Sequence, residues 1–86
     1  MNVSESYKYK ECFKNLPLLI KDKTIKKIKQ LKRSSSIADP TIAEPIKNYD
    51  DTYRCRIDKD YSFVFLLDGQ ICMLLFVGKN EEDFTG

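Results

Sequence analysis

The sequence predicts a small α+β fold in which a helical hairpin packs on one face of a three- to four-stranded antiparallel sheet. The first third of the chain repeats apolar residues at helical spacing, whereas the second half contains apolar, strand-length stretches that end at turn residues. With 86 residues, 42% of them hydrophobic and 33% charged, the chain can form one hydrophobic core and is too apolar to stay disordered. We therefore expect one domain spanning residues 1–86.

Two helices are predicted before residue 34. From Pro17 onward, apolar residues recur on one helix face with lysines between them, and proline suits a first helical turn, so we expect a helix over residues 17–33. A shorter helix is expected before it, because four apolar residues lie three or four positions apart. These residues are Tyr9, Cys12, Phe13 and Leu16. The two helices would form a hairpin over residues 8–33.

The segments around this hairpin are expected to be less regular. Residues 2–7 predict a short leading strand. The three serines at 34–36 end the long helix, and Pro40 and Pro45 predict an irregular connector after it.

The second half of the chain predicts an antiparallel meander. Its strand-like stretches are residues 53–57, 61–67 and 71–77. A three-residue turn at 58–60 would connect the first two, and the two-residue turn Asp68-Gly69 would connect the last two.

These turns predict which side chains share a face of the sheet. Phe65 would lie opposite Tyr53 and Cys72, and Phe63 opposite Cys55 and Leu74, so this aromatic face forms the core under the helices. The other face would carry aliphatic residues bordered by basic ones. Its members are Arg54, Arg56, Ser62, Val64, Leu66, Ile71, Met73, Leu75, Val77 and Lys79.

The aliphatic residues of the second face are expected to be shielded from solvent by another segment or protein, because two helices can cover only one side of a sheet. Either the amino-terminal segment folds over it or a protein partner binds it. The residues expected to meet such a partner are Val64, Leu66, Ile71, Met73 and Leu75.

Composition excludes several kinds of catalytic site. The chain has no histidine, so it cannot form a Ser-His-Asp or Cys-His site, and its three glycines form no phosphate-binding loop. Three cysteines without paired spacing predict neither a zinc site nor a disulfide framework, and we expect neither a metal nor a cofactor. No signal peptide or membrane-length apolar run is present, which predicts a cytoplasmic protein.

Charge is unevenly distributed along the chain. Residues 1–33 hold ten Lys and Arg against three acids, a net charge of +7, whereas residues 34–86 hold five against ten, a net charge of −5. Most of the excess lies in the long helix, at Lys21, Lys23, Lys26, Lys27, Lys29, Lys32 and Arg33. Such a cluster is either a solvated helix face or a surface that binds RNA or an acidic partner.

One series of motifs resembles a known family. It consists of Tyr53-Arg54-Cys55-Arg56-Ile57, then Asp60-Tyr61, then Val77-Gly78-Lys79, following a helical hairpin and an irregular connector. In this order and at these intervals, the series is similar to the RelE/ParE superfamily of bacterial toxins from type II toxin–antitoxin systems. The resemblance covers nearly the whole chain.

The resemblance implies a function and a site. RelE-type members cut mRNA in the ribosomal A site, whereas ParE-type members share the fold and act on DNA gyrase. By position, Arg54, Arg56 and Lys79 correspond to catalytic basic residues, the lysine-rich helix would hold RNA, and Phe84 would stack on a base. The partners implied are the ribosome, mRNA and an acidic antitoxin bound to the aliphatic second face in a heteromeric complex.

Two positions depart from the family pattern. Ser62 and Asn80 stand where a nuclease of this type carries basic residues, which predicts weakened cleavage. The residue that would act as general base is also undetermined, since arginine is always protonated and cannot take a proton. The candidates are Tyr49, Tyr61, Glu81 and Glu82. Two alternatives to an mRNA-cutting toxin therefore remain: a ParE-like gyrase-directed toxin, or a degenerate module that only binds its antitoxin.

Overall fold

The computed structural model describes residues 2–34 and 43–80 of the chain. The described residues form β1 (Asn2–Glu5), α1 (Tyr7–Lys14), α2 (Leu18–Arg33), β2 (Glu44–Pro45), β3 (Thr52–Arg56), β4 (Tyr61–Asp68) and β5 (Ile71–Lys79). They make one sheet in the order β1-β5-β4-β3-β2, in which β1 is parallel to β5 and the other pairs are antiparallel. The predicted α+β class, with a helical hairpin on one face of the sheet, is confirmed. Within residues 2–34 and 43–80, the sheet has five strands instead of the predicted three or four.

Both predicted helices are present, and local signals set their ends. The backbone N–H of Tyr9 donates to the Ser6 hydroxyl over 3.1 Å and so caps α1. Pro17 lies just outside α2, because its backbone is extended, and its carbonyl accepts the first helical hydrogen bond from the Lys21 N–H at 3.0 Å. The long helix therefore begins one residue later than expected.

The outer strands complete the sheet at its two edges. β1 pairs with β5 and ends where Ser6 turns away to cap α1, so it extends the sheet instead of folding over the second face. That expectation for the amino-terminal segment is wrong. β2 lies within the connector that was expected to be irregular, and Pro45 is tolerated there because an edge strand needs no outward N–H.

The hairpin between β3 and β4 has the predicted register. Tyr53 lies opposite Phe65 and Cys55 opposite Phe63, and the Ile57 N–H donates to the Tyr61 carbonyl over 2.9 Å. The turn is held by Asp58, whose carboxylate accepts hydrogen bonds from the backbone N–H groups of Asp60 and Tyr61. The first predicted turn is therefore confirmed.

The hairpin between β4 and β5 differs from the prediction by two residues. Asp68 pairs with Ile71, so the loop is Gly69-Gln70 and not Asp68-Gly69, and Phe65 lies opposite Leu74 instead of Cys72. Gly69 has φ +60°, the left-handed conformation that glycine adopts at the first loop position of a tight hairpin. A shift of two residues keeps each side chain on its predicted face.

A bulge then changes the face of the last four residues of β5. The register shifts between Val64 and Phe65, where Leu75 is the extra residue, so that Phe63 pairs with Val77 and Tyr61 with Lys79. Val77 is therefore in the core, with 1% of its surface exposed, and not on the second face as predicted. Lys79 changes face with it.

The core lies between the helices and the aromatic face of the sheet. Phe63 and Phe65 are fully buried, and the ring of Tyr53 stacks on Phe65 with 5.6 Å between centroids. Cys55 and Cys72 are free cysteines buried in this core, and burial raises the pKa of the Cys55 thiol to about 11 despite the nearby charge of Lys27. Both thiols therefore serve packing.

Replacing Asp58 with alanine should lower the free energy of unfolding by about 1 kcal/mol, because two backbone N–H groups of the turn lose their acceptor. The pKa of the Asp58 carboxyl lies below its usual range. The hydrogen bond from the Asp60 N–H is the largest cause, and the hydrogen bond from the Tyr61 N–H and the Lys23 ammonium at 3.7 Å lower the pKa further. The added stability is present above the unfolded pKa of about 3.9 and is lost as pH falls through the lower folded pKa. Urea unfolding at neutral and acid pH measures both effects.

The matched control is Asp60→Ala, in the same turn, where only the backbone takes part in the hydrogen bonds that hold the turn. Equal loss of stability in both variants would show that the Asp58 carboxylate does not hold the turn.

Candidate nucleic-acid interface

A cleft of about 670 Å³ lies against the second face of β3. It is bounded by the two arginines of that strand, by β2 and by the loop that joins β2 to β3. The residues that line it are Glu44, Pro45, Ile46, Lys47, Asn48, Tyr49, Arg54 and Arg56. We refer to this site as the arginine cleft.

The loop of the arginine cleft is held in shape by its own backbone. The Ile46 N–H donates to the Thr52 carbonyl over 2.9 Å, and the Leu67 N–H donates to the Asp51 carbonyl over 2.7 Å, which ties the loop to β4. Asn48 and Asp51 adopt left-handed backbone conformations that these residue types tolerate. The loop therefore presents Tyr49, with 44% of its surface exposed, at a fixed place beside the arginines.

Arg54 and Arg56 lie on the same face, about 6.6 Å apart along the strand, because side chains alternate between faces. The Arg56 Nε donates to a Glu44 carboxylate oxygen over 3.0 Å, and both side chains are about half exposed. An exposed ion pair of this kind contributes only about 0 to 1 kcal/mol. A phosphate group can therefore compete with Glu44 for the guanidinium.

The charge of the arginine cleft favours an anion. Among the described residues that line it, three are cations (Lys47, Arg54 and Arg56) and Glu44 is the one carboxylate. Guanidinium groups bind phosphate through paired N–H donors, and an exposed tyrosine ring offers a surface on which a base can stack. The cleft thus combines a phosphate-binding group with a ring.

Lys79 does not share a face with the two arginines. It pairs with Tyr61, on the face that carries the helices, and it lines a separate pocket of about 280 Å³ beside Asn15, Leu16 and Pro17. The cause is the bulge at Leu75, which moves the end of β5 to the opposite face. The three residues predicted to be catalytic therefore do not form one site.

Ser62 and Asn80 are uncharged residues at the two positions where the family pattern has basic ones. Ser62 lies directly opposite Arg56 and is buried. The Asn80 side-chain amide donates to the Lys59 carbonyl over 2.8 Å, and its backbone N–H donates to Asp60. Neither side chain brings a positive charge to the cleft.

The basic residues of the long helix lie on the other side of the sheet from the cleft. Ile20 and Leu31 of α2 pack in the core against the aromatic face, opposite the face that carries Arg54 and Arg56. Lys23 pairs with Asp58 at 3.7 Å, and the Lys21 ammonium is 5.9 Å from the centre of the Phe13 ring. The helix and the cleft therefore form two separate basic surfaces, and Phe84 lies outside the described residues.

The aliphatic cluster expected to bind a partner is smaller than predicted. Leu66 pairs across the sheet with Met73, and Ile71 lies at the end of the same face, so these three residues do form a surface. Val64 is 2% exposed, because its cross-strand neighbours Arg54 and Phe76 flank it with long side chains. Leu75 is the bulged, half-buried residue.

The structure also identifies cleft residues that the sequence alone did not indicate. No sequence pattern assigned a role to Glu44 or Lys47, because both lie in a connector without apolar periodicity. Pro45 also disfavours a strand at this point of the chain. Of the proposed bases, Tyr49 lines the cleft, Tyr61 lies on the helix-bearing face, and Glu81 and Glu82 are outside the described residues.

Two features are absent from the part of the chain that the structure describes. Residues 2–34 and 43–80 contain no group of three Cys, Asp or Glu side chains arranged to hold a metal ion. Over the same residues, no helix has the length and apolar character needed to cross a membrane.

Solved structures share this fold at low sequence identity. The RelB–RelE antitoxin–toxin complex of Methanococcus jannaschii contains a chain that is 20% identical, with a TM-score of 0.77 and 92% of each chain covered. The isolated RelE toxin of E. coli is 15% identical, with a TM-score of 0.77, and the match covers 98% of this chain and 88% of that one. The YoeB dimer of Staphylococcus aureus is 19% identical, with a TM-score of 0.71 and coverages of 88% and 92%.

No family model matches the sequence, and no curated protein is similar to it at a significant level. The structural matches confirm, at the level of the fold, the resemblance that the Tyr-Arg-x-Arg series predicts.

Proposed function

We propose that this chain, which has the fold of the RelE-type toxins, is the toxin of a type II toxin–antitoxin module and cuts mRNA on the ribosome. The observation that carries the proposal is the arginine cleft, where two guanidinium groups and a carboxylate lie together beside an exposed tyrosine. Complexes with antitoxins among the structural neighbours support an antitoxin as its partner.

The chemistry that suits the cleft is attack by the RNA on its own backbone. The 2′-hydroxyl loses its proton to a base, the 2′-oxygen bonds to the adjacent phosphorus, and the bond from phosphorus to the 5′-oxygen breaks. The leaving 5′-oxygen takes a proton from water, and the products are a 2′,3′-cyclic phosphate and a 5′-hydroxyl. Arg54 and Arg56 stabilise the charge that develops on the phosphate oxygens.

Glu44 is the residue we assign as the general base. Among the described residues it is the carboxylate of the cleft, and its place on β2, opposite Arg54 in the sheet register, keeps it beside the phosphate-binding groups when a phosphate takes its place on Arg56. The base that the histidine-free sequence left open is therefore supplied by β2.

Cleavage is proposed to be slow. Ser62 and Asn80 add no donor for the phosphate, and Asn80 is committed to the turn at Lys59. Loss of one transition-state donor typically lowers a rate about a hundred- to a thousand-fold.

The proposal is tested by adding the purified full chain to a translating extract and mapping the ends of the mRNA. Cleavage within codons on the ribosome, with cyclic phosphate and 5′-hydroxyl ends, is the expected result. Intact mRNA together with inhibited DNA supercoiling by gyrase would assign the chain to the ParE-like alternative. Intact mRNA and active gyrase would leave antitoxin binding as its function.

RNA binding at the arginine cleft should depend on Arg54. We expect Arg54→Ala to weaken the binding of a short single-stranded RNA about tenfold and to reduce its salt dependence, because one phosphate contact is lost. Arg33→Ala is the matched control, since it removes the same charge from the other side of the sheet. Fluorescence anisotropy at several salt concentrations measures both, and equal loss in the two variants would contradict binding at the cleft.

A further inference from the structure

The loop between β2 and β3 gives the arginine cleft three different functional groups in a row. Lys47, Asn48 and Tyr49 are consecutive and exposed, and all three line the cleft. They offer a cation, a primary amide and an aromatic ring. The cation suits a phosphate and the ring suits the face of a base, so the amide is the group to which the proposed function gives no role.

Asn48 occupies a turn position that glycine would fill with less strain. The Tyr49 N–H donates to the Ile46 carbonyl over 3.3 Å, which closes a four-residue turn with Lys47 and Asn48 at its centre. Asn48 has φ 73°, whereas Lys47 is not among the residues with positive φ, as in a type II turn. Glycine adopts this conformation at no steric cost, and asparagine tolerates it while adding an amide. The turn itself therefore does not require the Asn48 side chain.

The amide of Asn48 lies in the same cleft of about 670 Å³ as the two arginines. The Thr52 hydroxyl donates to the Asp50 carbonyl over 3.0 Å, and this bond adds to the backbone bonds that hold the loop. Within residues 2–34 and 43–80, the Asn48 side chain takes part in none of the hydrogen bonds that shape the loop. Its carbonyl oxygen and its NH₂ group can therefore serve a ligand.

A primary amide beside a stacking ring recognises a base that has a donor next to an acceptor. The Asn48 Oδ1 can accept from an amino group while Nδ2 donates to a ring nitrogen, and adenine presents this pair at N6 and N7. Guanine presents two acceptors on the same edge, and uracil has no amino group. Cytosine has an amino group, but its single ring overlaps less with the Tyr49 ring than a purine does. The chemistry of the pair therefore favours adenine.

We infer that Asn48 and Tyr49 form a base-recognition subsite of the arginine cleft that selects adenine. The adenine ring stacks on Tyr49, its N6 and N7 pair with the Asn48 amide, and a phosphate of the same strand binds the arginines. The inference rests on the proposed function, because that function makes the ligand RNA. It adds a consequence: cuts in mRNA should be concentrated beside adenosines.

The test measures the affinity of the full chain for four short RNAs by fluorescence anisotropy. The RNAs are pentanucleotides with A, G, C or U at the centre and uridine elsewhere, and 2′-O-methyl groups prevent their cleavage. The wild type should bind the adenine RNA about tenfold more tightly than the guanine and uracil RNAs, and more tightly than the cytosine RNA. In the spectrum of the ¹⁵N-labelled protein, the adenine RNA should shift the amide signals of residues 46–49.

Two substitutions of Asn48 separate base recognition from the shape of the loop. Asn48→Gly keeps the turn, because glycine suits φ 73°, and it should bind the adenine and guanine RNAs alike. Asn48→Asp should change the preference to guanine, because a carboxylate accepts two hydrogen bonds and the Watson–Crick edge of guanine carries two adjacent donors. The matched control is Gln70→Ala, which removes an exposed amide that does not line the cleft and should keep the preference for adenine.

Several results would overturn the inference. They are equal binding of the four RNAs by the wild type, binding of none of them, and a preference for a base other than adenine. A preference for adenine that persists in Asn48→Gly would also overturn it, since another group would then recognise the base.

Cleavage mapping separates this inference from the proposed function. A chain that prefers adenine through Asn48 but cuts no mRNA on the ribosome keeps the subsite and loses the nuclease function. Cuts that show no excess beside adenosines, and that stay at the same positions in Asn48→Gly, keep the nuclease function and overturn the subsite.

Discussion

Replacing Glu44 with glutamine is expected to slow RNA cleavage by about 10²- to 10⁴-fold, the usual contribution of a general base. Glutamine keeps the size of the side chain and an oxygen that accepts from the Arg56 Nε, but it cannot take a proton from the 2′-hydroxyl. Affinity for RNA should stay the same or rise slightly, because the one carboxylate among the described cleft residues is neutralised. Single-turnover cleavage and binding to a non-cleavable RNA separate the two effects.

The matched control for this variant is Asp50→Asn. Asp50 belongs to the same loop but does not line the cleft, so its loss of charge should leave the rate unchanged. Wild-type cleavage by Glu44→Gln would show that Glu44 is not the base. Loss of cleavage in Tyr49→Phe but not in Glu44→Gln would then assign proton transfer to the tyrosine hydroxyl, which also lies in the cleft.

Truncating Phe63 to alanine should lower the free energy of unfolding by about 3 to 5 kcal/mol, through lost burial and the cavity that remains. Phe63 is fully buried between Cys55 and Val77 in the sheet register, and its ring lies 6.2 Å from that of Phe65. A domain of this size has a total stability of only about 5 to 15 kcal/mol, so most or all of it would be lost. Circular dichroism during urea titration measures the change.

Leu66→Ala is the control for this truncation, because Leu66 lies on the same strand but is 36% exposed on the other face. It should lower the stability by only about 1 to 2 kcal/mol, since a partly exposed leucine loses less buried area than a fully buried phenylalanine. A Phe63→Ala protein as stable as Leu66→Ala would show that the aromatic face is not the core.

Local sequence patterns determined the parts of this fold that depend on neighbouring residues. The two helices follow from apolar spacing and from the signals at Pro17 and Ser34, and the β3–β4 register follows from the length of the turn at Asp58. The shared face of Arg54 and Arg56 needed only the alternation of a strand. These features would be predicted in the same way in any fold that contains the segment.

The tertiary structure decided the composition of the site. An apolar run such as 71–77 has no alternation to show where a bulge lies, so packing against the core chose Leu75 as the extra residue and moved Lys79 away from the arginines. Glu44 reached Arg56 only because the connector returns to the edge of β3, a pairing between residues twelve positions apart. The sequence by itself thus determined which residues carry positive charge, but the long-range pairing of strands decided which of them share a cleft with a carboxylate.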